Sequence, residues 1–243
     1  ILIGVTGVGK STTIDALAEI FEFTLLPNRR TLTDHMIIAP MQLAAGEPVS
    51  PVTDRSQRFN YTRRYREANP GGMAHALGRL YLDPERHPGL ILFDGLRGVN
   101  EVKYAIEALP LARFVVLIAP DVVRVQRLLG RNDTFDQIEP GPSADSKTSG
   151  KLTSFADLGL GEASGIFEPT DEARLLAMVN RQQVSADDLS AKLRIVIEER
   201  RNYDPEATRT TVAELAPFRS VEVDTALRSP EEAALRISDK LDI

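Results

Sequence analysis

The chain has 243 residues, 42% of them hydrophobic, with a net charge of −6 and a pI near 5.3. That length and apolar content suit one large α/β domain, or one domain with a sizeable insertion, and the acidic balance argues against a general nucleic-acid binder. Without any cysteine, disulfides, cysteine–zinc sites and thiol catalysis are excluded, and the scattered His35, His75 and His87 offer no metal-ligand spacing.

Residues 1–3, Ile-Leu-Ile, suit a buried parallel strand. Gly4-Val5-Thr6-Gly7-Val8-Gly9-Lys10-Ser11 follows at once and fits G-x-x-x-x-G-K-[ST], the phosphate-binding P-loop. In such a loop the glycines let the backbone turn tightly, so that N–H groups point inward at phosphate oxygens. Gly4, Thr6, Gly7, Val8 and Gly9 form the expected cradle. Lys10 is expected to reach the β- and γ-phosphates, and the Ser11 hydroxyl to ligate Mg²⁺. Ile14, Leu17, Ala18 and Phe21 then fall on one face of a helix over 11–21, whose positive N-terminal end adds to the anion site.

Residues 22–26 read as a second strand, ended by Pro27-Asn28. Arg29-Arg30-Thr31-Leu32-Thr33-Asp34 lies just past that strand, where open α/β sheets bind ligands. A solvated turn explains the same composition, and the sequence leaves both open. A short helix is expected over 34–45, broken by Gly46, Pro48 and Pro51. Thr53-Asp54 can cap a helix over 55–68, closed by Asn69-Pro70-Gly71-Gly72. It carries Arg55, Arg58, Arg63, Arg64 and Arg66, interleaved with Phe59, Tyr61 and Tyr65. Such a helix gathers anionic substrate groups or is simply solvated. Arg29, Arg30 and Arg63 are the candidate substrate contacts here. A further helix is expected over 73–82.

Leu90-Ile91-Leu92-Phe93-Asp94-Gly95 describes a buried strand ending in an acid, the Walker B pattern. An Asp at that place holds Mg²⁺ directly or through water, and Arg97 in the same loop is a candidate for a transferring phosphate. A helix over 100–109 leads to an apolar strand over 113–119, which Pro120 ends. Asp121 is expected to cap the next helix, where Arg124, Arg127 and Arg131 recur at spacings of three and four, broadly on one side. The chain changes character over residues 139–168, with a loop composition over 140–150. Thr170 is expected to cap a helix over 171–180, and Ser185 one over 186–203, with Asp188 in the capping-box position. Asp204-Pro205-Glu206 opens another helix. Residues 135–215 therefore read as a loop-plus-helices insertion in a core formed by 1–134 and 216–243. Ser220-Val221-Glu222-Val223-Asp224-Thr225 is the last strand, its acids implying a place near an edge, and Ser229-Pro230-Glu231-Glu232 starts the closing helix. Five strand candidates separated by helices argue for an α/β fold with a doubly wound parallel sheet.

Three motifs resemble the P-loop nucleotide kinases, the adenylate kinase group and its small-molecule relatives. The Gly4–Ser11 loop is followed by Thr12; Asp94-Gly95-Leu96-Arg97 is similar to that family's Asp-Gly segment with a following Arg; and Arg127-Leu128-Leu129-Gly130-Arg131 looks like the R-x-x-G-R that begins the adenylate kinase lid. Asp94-Gly95-Leu96-Arg97 with Asn100-Glu101-Val102 further resembles kinases related to the dephospho-coenzyme A kinase group. The likeness covers roughly residues 1–26, 90–131 and 219–243. It implies a P-loop NTPase fold with a five-stranded sheet of order 2-3-1-4-5, ATP and Mg²⁺ as donor, and a lid over the donor. It further implies Lys10, Asp94, Arg97 and Arg131 as catalytic residues, Ser11 and Asp94 at the metal, Thr12 beside the donor, Arg127 stacked on adenine, Arg131 on phosphate and Arg97 near the acceptor. Residues 29–72 match no acceptor pattern of that family.

The expected activity is phosphoryl transfer from ATP to a small-molecule or nucleotide acceptor. The alternative is a P-loop ATPase or nucleotide switch that acts on a protein partner through residues 135–215. No apolar run approaches the roughly 20 residues of a membrane helix and no signal peptide pattern is present, so a cytoplasmic protein without membrane or nucleic-acid partners is expected. A homodimer is among the expected assemblies. The first residue is not Met and the first strand starts at once, from which preceding residues are expected.

Overall fold

The computed structural model describes residues 1–130 and 151–242. They fall into two compact units. The first takes Ile1–Val5, Gly9–Ile118 and the described part of Tyr203–Ile243; the second takes Thr6–Val8 and the described part of Ala119–Asn202.

The first unit is α/β. Its strands are β1 (Leu2–Ile3), β2 (Phe23–Leu25), β3 (Leu90–Leu92), β4 (Phe114–Ile118) and β5 (Ser220–Asp224). Every pairing is parallel. β1, β4 and β5 form a three-stranded sheet in that order, with Leu2 opposite Val115 and Val116 opposite Glu222. β2 and β3 form a second, two-stranded sheet. Just past β3, the Leu2 N–H donates to the Phe93 carbonyl at 2.8 Å, and Ile3 makes an isolated parallel bridge to Leu96.

Helices cover these strands. α1 (Lys10–Ala18) packs on α11 (Pro230–Leu241), and α6 (Val99–Ala108) packs on both α5 (Gly72–Leu77) and α10 (Pro205–Leu215). The core gathers Ile3, Phe93, Leu96, Val102, Phe114 and Val116. β4 is apolar along its whole length because neighbours flank it on both sides, as a central parallel strand requires. β3 departs from the buried strand expected there. Leu90 and Ile91 are 37% and 39% exposed, and burial begins only at Leu92. Among the described residues, β2 alone pairs alongside that first half.

Local chemistry explains where other elements differ from the sequence reading. The Arg29 stretch is helical, not a turn. α2 (Arg29–Thr33) starts there because the Asn28 side chain accepts from the Thr31 N–H. A π-helical turn (Asp34–Ile38) and α3 (Ala39–Ala44) continue it. α4 (Arg55–Ala68) begins at the Asp54 cap as expected. α5 stops at Leu77, short of the helix expected to residue 82.

The second unit is helical. It contains α7 (Asp121–Leu129), two 3-10 turns (Phe155–Leu158 and Gly161–Gly165), α8 (Pro169–Asn180) and α9 (Ala186–Asn202). Its own core gathers Val125, Leu128, Phe155, Leu175, Leu193 and Val196. Asp121 is not a cap but the first helical residue of α7, after Pro120. Thr170 is likewise inside α8, which starts one residue earlier because Pro169 suits a first helical position. Among the described residues, no helix is long and apolar enough to cross a membrane.

β5 lies at the end of its sheet, paired only with β4 among the described residues. Its exposed Glu222 meets Arg209 of α10 at 2.5 Å, and Arg236 of α11 donates to the Glu222 carbonyl at 3.2 Å. Arg219, just before β5, gathers carbonyls from the end of α6 and the turn after it. Its guanidinium donates to Ile106, Leu109, Pro110 and Ala112 at 3.0–3.1 Å and lies over the Phe114 ring. Arg219→Ala is therefore expected to lower stability by about 2 kcal/mol in urea unfolding. Arg219→Lys, with the charge but not the planar fork, should fall between the two.

Candidate functional site

Two glycines set the shape of the Gly4–Ser11 loop. Gly7 and Gly9 sit at φ +85° and +91°, the left-handed region that side chains enter only with strain. A Cβ on Gly7 would also meet the Arg124 carbonyl oxygen at 3.0 Å. In the first unit, Lys10 folds back so that its ammonium donates to the Gly4 and Val5 carbonyls at 2.9 and 3.1 Å. α1 starts at Lys10 with Gly9 as its cap, and Gly9 has no side chain to accept from the first N–H groups. The Thr12 hydroxyl instead donates back to the Gly9 carbonyl, as does Thr13. Ser11 is exposed, and its hydroxyl makes no hydrogen bond with a described residue.

Thr6, Gly7 and Val8 belong with the helical unit. There the Glu199 carboxylate of α9 accepts from the Thr6 N–H at 3.0 and 3.1 Å and from the Thr6 hydroxyl at 2.6 Å. Arg124 of α7, only 1% exposed, donates to the Thr6 carbonyl at 2.8 Å and pairs with both Glu199 and Asp121. Asp121 in turn takes Arg200 at 2.7 Å. Arg127 donates to the Gly7 carbonyl at 3.3 Å. The spacing that grouped Arg124 with Arg127 thus joins two different environments. Sequence reasoning missed Glu199 altogether, since one more acid among the charges of α9 carries no signal.

The other candidates lie in the first unit around the turn after β3. Asp94 is half-buried, and its carboxylate has no hydrogen bond or ion pair with a described residue. The turn is held by Glu101, a second residue the sequence did not single out for a role. Glu101 is 4% exposed and accepts from the Arg97 N–H at 3.0 Å, the Met73 N–H at 3.3 Å and both terminal nitrogens of Arg29 at 2.6 Å. Arg29 also donates to the Gly95 carbonyl at 2.6 Å. Burial opposes the Arg29 charge, but the adjoining Glu101 carboxylate outweighs it and holds the guanidinium pKa above its ordinary value. The Arg97 guanidinium lies over the Tyr203 ring, 6.0 Å from its centre.

The arginines expected at a substrate therefore do not share one setting. Arg29 is committed to Glu101. Arg30 and Arg63 are exposed, and Arg63 engages Asn60 at 3.1 Å and Glu67 at 3.9 Å on its own helix. Arg131 lies outside the described residues. Among the described residues, no group of three or more His, Asp or Glu side chains could hold a metal ion. Mg²⁺ bound beside phosphates needs only one or two protein oxygens, the rest being phosphate and water, and the Ser11 hydroxyl and Asp94 carboxylate suit that donor set. Compared with protein-family models, curated proteins and solved structures, the chain matches none.

The grip on Thr6 is testable by itself. Glu199→Ala removes one of the two carboxylates paired with a buried guanidinium and is expected to cost about 3 kcal/mol. In a double-mutant cycle, Glu199→Ala with Arg124→Ala should cost clearly less than the sum of the single variants. Additive losses in urea unfolding would show that the two do not act together.

Proposed function

We propose that the chain is a P-loop phosphotransferase that moves the γ-phosphoryl group of ATP to a small-molecule or nucleotide acceptor. The observation that carries this reading is the loop itself: left-handed Gly7 and Gly9, Lys10 folded over the carbonyls of Gly4 and Val5, and a helix start whose cap is a glycine. A helix start of that kind favours anions through its dipole and its N–H groups.

Two details support the finer topology, a single five-stranded sheet of order 2-3-1-4-5. They are the Leu2 to Phe93 hydrogen bond and the Ile3 to Leu96 bridge, which run β1 alongside the end of β3. In that order Asp94 emerges beside the phosphate loop. Bound Mg²⁺ would neutralise charge on the β- and γ-phosphates, with Ser11 and Asp94 as its protein oxygens. Lys10 binds the phosphates, and the loop N–H groups orient them. Transfer of this kind needs in-line positioning and positive charge more than covalent help. Arg97 supplies charge on the acceptor side, and Arg29 positions that turn through Glu101 and Gly95. Arg127 is assigned to the adenine of the donor, and Arg131 to phosphate.

A second reading, a nucleotide switch or ATPase acting on a protein partner, draws support from a different observation. Glu199 and Arg124 hold Thr6 from both its N–H and its carbonyl side, so a γ-phosphate that shifts Thr6 shifts the contacts of α7 and α9. Labelled ATP separates the readings. Transfer of label to any member of an acceptor panel supports the kinase. Free phosphate as the sole product with every acceptor class, and hydrolysis that a partner accelerates, support the switch. In either case Lys10→Ala is expected to weaken ATP binding about a hundredfold, roughly 2.7 kcal/mol, as measured by calorimetry. Unchanged binding would remove the phosphate loop from both readings.

A further inference from the structure

We propose that the first unit contains a second ligand site, a cavity of about 380 Å³ between the α2–α3 helical stretch, α4 and α5, that takes a small anion with an apolar body. The volume lies within the range of small-molecule sites. The lining is apolar at Met36, Pro40 and Met41, and it also includes Arg64, Tyr65 and Arg79. No carboxylate of a described residue lines the cavity, in a chain whose net charge is −6.

The two arginines carry the argument. Three other arginines of this region pair with acids: Arg58 with Asp34, Arg63 with Glu67, and Arg29 with Glu101. The side chains of Arg64 and Arg79 make no hydrogen bond or ion pair with a described residue. Two guanidinium groups without a counter-charge among the described residues, beside an apolar wall, are complementary to one carboxylate or phosphate group attached to a hydrocarbon or aromatic body. The wall can adapt to such a body, since methionine repacks around varied shapes. Met36 projects from the π-helical turn, a feature that recurs at functional sites. Tyr65 is fixed by a 2.8 Å hydrogen bond to His75 Nδ1, and burial pushes its phenol pKa up, so it stays neutral while Arg79 opposes that shift.

This site does not rest on the phosphate loop, and its test is independent of ATP. Calorimetry on the full chain would use octanoate, phenyl phosphate, octanol and inorganic phosphate as probes. Octanoate or phenyl phosphate is expected to bind at least tenfold more tightly than octanol and inorganic phosphate, and the better of the two names the anionic group. Arg64→Gln with Arg79→Gln, at exposed positions, should weaken that probe at least tenfold. Arg64→Lys with Arg79→Lys should recover part of the loss, Ala44→Phe should block the cavity, and Lys10→Ala should leave the affinity unchanged. Octanol binding as tightly as octanoate, inorganic phosphate binding as tightly as phenyl phosphate, no binding of any probe, or an affinity indifferent to the double Gln variant would overturn the proposal. Unfolding curves for each variant distinguish loss of the site from loss of the fold.

Discussion

The Glu101 carboxylate is the interaction on which the first unit's candidate chemistry depends. It takes donors from α2, from the first turn of α5 and from the turn after β3, and it does so at 4% exposure. A carboxylate buried that deeply is tolerable only when its lone pairs are filled, and here four N–H donors fill them. The consequence is geometric. Gly95 and Arg97 are held by the same ion pair, so Asp94 projects from a turn whose neighbours cannot drift. Gly71 shows how closely this region is packed, since a Cβ there would meet the Tyr104 ring at 2.4 Å.

The helical unit repeats the device with different residues. Thr6, Glu199, Arg124, Asp121 and Arg200 form one chain of alternating charge that ends at the surface on Arg200. Arg124 is the buried centre, and its three polar contacts satisfy a cation that could not otherwise stay inside. Both networks use an acid on one helix to fix a backbone turn that carries the candidate site. In each, catalytic-looking arginines and structural arginines are neighbours in sequence, and only burial tells them apart.

Much of the fold was legible because its signals are local. The glycines and Lys10 of the loop, the apolar run of β4, the Asp54 and Asp204 caps and the Ser229 capping box each announce an element within a few residues. Strand pairing is not local, which is why β3, apolar throughout, is buried only from Leu92 onward. The same limit applies to the site. Arg29 reads as a ligand contact when its partner lies 72 residues away, and the Thr6 to Glu199 contact spans 193 residues. Neither separation leaves a periodic trace. Arg79 was equally hidden, and Arg64 read like every other arginine of α4, because what sets the two apart from Arg58 and Arg63 is that no acid of a described residue pairs with them.

The free side of β5 bears on how copies of this chain can meet. An edge strand offers a row of backbone groups to any other strand, and acids or covering side chains close that offer. Here Arg236 already occupies the Glu222 carbonyl and Arg209 holds the Glu222 side chain across the same stretch. A second sheet docking there would have to displace one cation and bury another. Strand-to-strand growth from this edge is therefore disfavoured, and high salt, which screens the exposed Arg209–Glu222 pair, is the condition under which that protection weakens first.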